Sequence, residues 1–135
     1  MADQYTTEQH PRYVAGSMGP TTKLPSLGHV SFDVMKACFT EQALGLLAGN
    51  VDLFIIETCQ DVLQIKAALT GVEEAFSQTG ERRPLMVSVT METTGTMLVG
   101  SDVCCQRIGF KLIYRFFNPL STGRTLRRQF GGIYH

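Results

Sequence analysis

Val51-Asp52-Leu53-Phe54-Ile55-Ile56-Glu57-Thr58-Cys59-Gln60-Asp61 decides how this chain folds. Residues 51–56 are apolar but for Asp52, the composition of a parallel strand covered on both faces. Glu57 stands at the C-terminal end of that run. Asp61 is a good helix N-cap, because its carboxylate can accept from the free backbone N–H groups of a first turn. Behind it Val62, Ile65, Leu69, Val72 and Phe76 recur at steps of three and four, which stacks them on one helix face. A strand leading directly into a helix is one βα unit.

Working outward, the same alternation appears on both sides. Upstream, Tyr13-Val14-Ala15 reads as a short strand ending on a glycine-rich turn, Gly16-Ser17-Met18-Gly19-Pro20. From Ser31 the apolar positions Phe32, Met35, Phe39, Ala43 and Leu46 predict a helix, and Gly49 is placed to end it in the left-handed conformation. Downstream, Gly80 and Pro84 close the loop behind the second helix, and residues 85–91 predict a third strand. There Leu85, Val87 and Val89 alternate with Met86, Ser88 and Thr90, so one face is apolar and the other carries small polar groups. Repeated βα units joined by right-handed crossovers form either a doubly wound open sheet or a closed eightfold barrel. A whole barrel takes roughly 250 residues, so the 135 residues of this chain amount to about half of one.

Composition narrows the class. With 44% apolar and 18% charged residues the chain is globular, and its apolar runs fall far short of the roughly 18 residues that cross a bilayer. Four cysteines, two of them adjacent at Cys104 and Cys105, do not make the spaced framework of a small secreted domain, and reduced thiols in a cytoplasmic setting are the expectation. The net charge of zero hides a division. Residues 1–103 hold all 12 acidic residues with six bases, while Arg107, Lys111, Arg115, Arg124, Arg127 and Arg128 fall in residues 104–135, which contain no acid.

In both βα architectures chemistry sits where strands end and loops to the next helix begin. That rule selects residues 16–21, 57–61 and 90–95. The glycine turn is not a dinucleotide fingerprint, since Gly16 and Gly19 are three apart and Pro20 follows them, and it lacks a P-loop lysine. Glu57 needs a partner at a buried edge: the ammonium group of a ligand is one, neighbouring backbone or a basic residue the other. Asp61 is accounted for by its capping role. His10, His29 and His135 do not cluster into a metal or triad pattern. Cys38 is expected in the core, and Cys59 at a strand end within reach of the site.

Taken together, residues 13–23 (Tyr-Val-Ala-Gly-Ser-Met-Gly-Pro-Thr-Thr-Lys), Phe32-Asp33 opening a helix, Ile55-Ile56-Glu57-Thr58-Cys59-Gln60-Asp61 leading into Lys66-Ala67-Ala68, and Val87-Ser88-Val89-Thr90-Met91 followed by Gly95, Leu98 and Gly100 resemble the homocysteine-binding domain family of cobalamin-dependent methionine synthases, within the homocysteine S-methyltransferase superfamily. The resemblance covers residues 10–103. It implies a (β/α)8 TIM barrel in which zinc binds the homocysteine thiol and the thiolate takes a methyl group from methylcobalamin; metal binding deprotonates a thiol at neutral pH and makes it a stronger nucleophile. It further implies that the chain supplies barrel strands three, four and five, that Glu57 holds the amino group of homocysteine, and that Gly16, Ser17, Gly19, Ser88 and Thr90 line the mouth.

The departures are as specific. The family's zinc cysteines lie in a Gly-x-Asn-Cys stretch at the sixth strand and in an adjacent pair after Gly-Gly at the eighth, and this chain has neither stretch. Cys104-Cys105 imitates the pair but follows Ser101-Asp102-Val103, so no zinc is expected on it. The expectation is a fragment: residues 1–103 a partial homocysteine-binding barrel, residues 104–135 an unrelated basic tail of the sort a shifted reading frame or misjoined exon produces. Such a piece is expected to carry no zinc or cobalamin, to bind homocysteine weakly if at all, to lack the remaining barrel strands and the cobalamin and folate domains as partners, and to transfer no methyl group alone. Two alternatives stand beside it: a cobalamin-independent enzyme taking its methyl group from betaine or S-methylmethionine, and a noncatalytic protein whose interleaved basic and aromatic residues 107–128 bind nucleic acid. Neither nucleic acid nor a membrane is the expected partner.

Overall fold

In a computed structural model, residues 2–102 are described; the tail with its basic residues and the Cys104-Cys105 pair lies outside the described residues. Three parallel strands, β1 (Ala15–Met18), β2 (Leu53–Cys59) and β3 (Leu85–Val89), pair in chain order, and α1 (Phe32–Ala48) and α2 (Val62–Thr79) make the two crossovers. Both helices lie on one side of the sheet. Gly16 pairs with Phe54 in register, so the two face the same way; Leu46 of α1 presses on Gly16, and Phe76 of α2 meets the Phe54 ring edge-on at 5.6 Å between centroids. Met18, Phe54 and Ile56 are fully buried on this covered face. On the other face Ala15 and Ser17 are exposed and Leu53, Ile55 and Glu57 are half-buried. Among the described residues β1 and β3 form the edges of the sheet, and Met86 and Val87 of β3 remain exposed.

Both helices begin on a side-chain cap. Ser31 caps α1 by accepting from the Val34 N–H, and Asp61 caps α2 by accepting from the Leu63 N–H. Inside, α1 contributes Met35, Phe39, Ala43 and Leu47 and α2 contributes Ile65, Ala68, Val72 and Phe76. The two helices meet at Gly71, where a Cβ would stand 2.9 Å from the Lys36 carbonyl oxygen and 3.0 Å from both the Phe39 Cβ and the Thr40 nitrogen. Two of those three atoms are backbone and cannot swing aside. Gly71→Ala is therefore expected to destabilise the chain by about 2 kcal/mol, overpacking outweighing the roughly 1 kcal/mol of helix propensity gained. Gly45, inside α1 with nothing within 4 Å of its absent Cβ, gives the opposite sign: Gly45→Ala should add about 0.5–1 kcal/mol. Urea unfolding midpoints of the two variants check this.

Four expectations are corrected. The first strand is not residues 13–15 but Ala15–Met18, because pairing runs from Ala15 against Leu53 to Met18 against Ile56; Val14 is tied to Asp52 just before the ladder begins. Gly16 is thus a strand residue rather than part of a turn, and the turn is left to Gly19, at φ +73°. The helix α1 ends without a left-handed glycine. Gly49 is right-handed at φ −76° and donates to the Gly45 carbonyl, while the next residue, Asn50, takes φ 55°, a conformation that asparagine tolerates. Leu47 rather than Leu46 is the buried member of the last turn. Cys38 is exposed, since it sits one step from Phe39 and so about 100° around the helix from the buried stripe.

Candidate functional site

The C-terminal ends of the strands gather the polar residues of the uncovered face. Ser17 pairs in register with Ile55, which places its side chain on the same face as Glu57, two residues further along β2. The Ser17 hydroxyl donates to Glu57 Oε1. Gln42 Nε2 from α1 donates to the Ser17 carbonyl at 3.4 Å, so both the side chain and the backbone of Ser17 are held. Among the described residues no ion pair involves Glu57: the three are Lys36–Glu74, Arg82–Glu73 and Arg83–Glu81. Its carboxylate is half-buried, held by a hydroxyl, and open on the uncovered face.

The strand does not run regularly through this point. Ile56 pairs with Val87 and Cys59 pairs with Val89, with a register shift between, so Glu57 and Thr58 together stand opposite Ser88 alone. This is a β-bulge, one residue in excess on β2, and Thr58 occupies it at φ 59°. The excess residue reverses the alternation beyond it. Cys59, which an unbroken strand would put on the open face, is fully buried, with its Sγ 3.5 Å from where a Cβ on Gly19 would lie. The expectation that Cys59 reaches the site is corrected on this ground.

Burial, and then the negative charge of Asp61, push the Cys59 thiol up from 9.0 to about 11. The folded chain keeps this thiol protonated where the unfolded chain loses the proton, so stability is unaffected below pH 9 and falls as pH rises from 9 toward 11. At pH 8 the lower thiolate fraction alone slows alkylation of Cys59 about 100-fold relative to an ordinary cysteine, whereas exposed Cys38 reacts at the usual rate. Peptide-resolved mass spectrometry after a timed iodoacetamide pulse, with and without urea, checks both statements.

The loop from β1 to α1 is anchored beneath the site. Asp61, fully buried, accepts from the Ser26 N–H at 2.9 Å and the Ser26 hydroxyl at 2.6 Å besides the Leu63 N–H at 2.8 Å. Gln64, also fully buried, donates to Thr21 Oγ1 at 3.1 Å and the Lys23 carbonyl at 3.3 Å. The single turn Pro25–Leu27 is thereby pinned to the start of α2. Sequence reasoning saw Asp61 only as a cap and missed Ser26 and Gln64. Gln64 lies four residues before Ala68 and eight before Val72, a spacing that puts it on the buried side of α2.

Of the residues singled out from the sequence, Glu57 and Ser17 are in direct contact, and Ser88 lies exposed across from the bulge. Thr90 is half-buried, its N–H donating to the Cys59 carbonyl at 2.9 Å. Gly19 sits at the end of β1, where a Cβ would be 3.8 Å from the Glu57 carbonyl oxygen. Gly16 faces the other way: a Cβ there would stand 3.0 Å from Leu46 Cδ1 and 3.3 Å from Val51 Cγ1, so its missing side chain serves the packing under the sheet. Among the described residues no group of three or more histidine, cysteine or acidic side chains could hold a metal ion.

A parallel sheet whose strands are joined by helices lying on one side defines a βα-repeat protein, here with an acidic side chain, Glu57, on the uncovered face. A model of the homocysteine S-methyltransferase family matches residues 1–107, and the chain belongs to that family. Over 103 residues it is 54% identical to a methionine synthase of Mycobacterium leprae (strain TN), covering 76% of this chain and 8% of that protein. It is 50% identical over 103 residues to a methionine synthase of Mycobacterium tuberculosis (strain ATCC 25618 / H37Rv), covering 76% of this chain and 9% of that protein. The chain thus spans less than a tenth of the length of these relatives. Among the described residues no helix is long and apolar enough to cross a membrane.

Proposed function

We propose that residues 10–103 are three adjacent strands of a (β/α)8 barrel with the two helices that join them, equivalent to strands three to five, and that they hold homocysteine for methylation to methionine. The observation that carries the proposal is the Glu57 carboxylate at the strand ends, held by the Ser17 hydroxyl and free of any cationic partner among the ion pairs of the described residues. A half-buried carboxylate without a cation is suited to an ammonium group, and homocysteine brings one. Ser17, Gly19, Ser88 and Thr90 surround that place, with Gly16 supporting it from behind. Consecutive strand order with both crossover helices on one face suits a closing barrel, whose interior would be the face that bears Ser17, Ile55, Glu57, Met86 and Ser88. Further βα units would pair with β1 and β3, the edges of the sheet among the described residues.

In this role the chain binds and orients. Glu57 accepts from the substrate ammonium group and fixes the amino-acid end, which leaves the thiol pointing along the mouth toward groups contributed by other parts of the barrel. The family resemblance assigns thiol activation to zinc and the methyl donor to cobalamin; the roles proposed for Glu57, Ser17 and their neighbours are confined to the amino-acid end of the substrate. The names of both relatives favour methionine synthase over an enzyme that uses betaine or S-methylmethionine. A cytoplasmic setting suits the free thiols of Cys38 and Cys59.

A chimera tests this. The Mycobacterium leprae methionine synthase, with its matching 103-residue stretch replaced by that of this chain, is expected to convert homocysteine to methionine. In that chimera Glu57→Gln should lower kcat/KM for homocysteine roughly 100-fold, the loss of a charge-assisted hydrogen bond of about 2–3 kcal/mol. A folded but inactive chimera, or an unchanged kcat/KM in the variant, would overturn the assignment.

A further inference from the structure

The least comfortable backbone in the described part of the chain lies beside the candidate ligand group. Thr58 is β-branched and holds φ 59°, a region that costs a side chain of this shape on the order of 1–2 kcal/mol and persists only where the surrounding structure enforces it. The other non-glycine residue with positive φ is Asn50, which adopts it cheaply at a helix end. Nothing in the packing demands the same of Thr58, which is exposed. What the conformation secures is on either side of it. Before it, Glu57 stays on the open face within reach of Ser17; after it, Cys59 turns inward to pair with Val89 and Asp61 reaches its buried place at the start of α2.

We propose that Thr58 is a positioning residue: its left-handed bulge fixes the Glu57 carboxylate against the Ser17 hydroxyl at the mouth. The importance of that position rests on the functional role proposed for Glu57, but the positioning itself does not. A regular strand would have to choose between an outward Glu57 followed by an outward Cys59 and the inward path that α2 requires, since its alternation is strict. One excess residue lets both ends of the segment be satisfied. The backbone conformation carries the effect, and the threonine hydroxyl is not needed for it.

The test uses the full chain without substrate, reading the nuclear Overhauser contact between the Ser17 and Glu57 side chains by NMR, with amide spectra of α1 and α2 as the control for folding. Thr58→Gly and Thr58→Asn, which adopt positive φ at little cost, should keep the contact at wild-type intensity and raise Tm by a few degrees. Thr58→Pro, whose ring holds φ near −65°, and deletion of Thr58 should lose at least four-fifths of the contact while the helix spectra persist. The contact surviving in either disrupted but folded variant, or disappearing in folded Thr58→Gly, would overturn the proposal. If both disrupted variants unfold, the Gly and Asn variants decide it by the same contact. Because no homocysteine is present, a negative result here is separate from failure of the substrate assignment, which the chimera reads.

Discussion

Phe54→Ala is expected to cost about 4 kcal/mol. Phe54, the second residue of the middle strand, is fully buried and paired with Gly16 on one side and Leu85 on the other, with the Phe76 ring edge-on at 5.6 Å and an interplanar angle of 76°. Truncating a phenylalanine in such a place loses the transfer energy of the ring and leaves a cavity, typically 3–5 kcal/mol. The edge-to-face pair adds about 1 kcal/mol to what is lost. Relaxation is limited because the cavity is bounded by the sheet on one side and by α2 on the other. A domain of this size has a total stability of roughly 5–15 kcal/mol, so the variant should be largely unfolded at temperatures where the parent chain is folded. Denaturant titration followed by circular dichroism gives the value, and a loss below about 1 kcal/mol would contradict the packing described.

Asp61→Ala should cost about 3 kcal/mol and, unlike the first variant, should act on the site as well. Its carboxylate satisfies the Leu63 N–H, the Ser26 N–H and the Ser26 hydroxyl. Loss of an N-cap alone costs about 1 kcal/mol. The two bonds to Ser26 join a charged acceptor to partners in a buried setting, and deleting the acceptor strands the donors. Hydrogen exchange should show the difference in kind: residues 21–28 become fast-exchanging in Asp61→Ala while the centres of α1 and α2 remain protected. Asp61→Asn, which retains an acceptor oxygen, should recover about half of the stability. Uniform loss of protection across the chain would mean that Asp61 only caps its helix.

The site was partly legible in the sequence for a simple reason. Function in βα proteins gathers toward strand ends, and the abrupt change from Ile56 to Glu57 flags a polar residue near such an end without any knowledge of the neighbours, although the strand runs on to Cys59. The same is true of Ser17 as a polar residue beside the first strand. Their contact was not legible, because Ser17 and Glu57 are 40 positions apart and meet through the register of β1 on β2. Cys59 went astray because alternation counted along a chain presumes an unbroken strand, and one bulged residue reverses the face of everything after it. Gly71 gave no sign of its role either, since only the crossing of two helices makes a missing side chain necessary.

By itself the amino-acid order determined the alternation of strands and helices, the cap at Asp61 and the presence of an acidic residue, Glu57, late in the second strand. These follow from periodicity and from the hydrogen-bonding needs of helix ends, which are local. Tertiary structure alone decided the limits of the first strand, the inward turn of Cys59, the clamp of Ser26 on Asp61 and the closeness of Ser17 to Glu57. Each of these depends on which distant segment packs alongside, and a linear pattern holds no information about register between strands or the depth of a helix crossing.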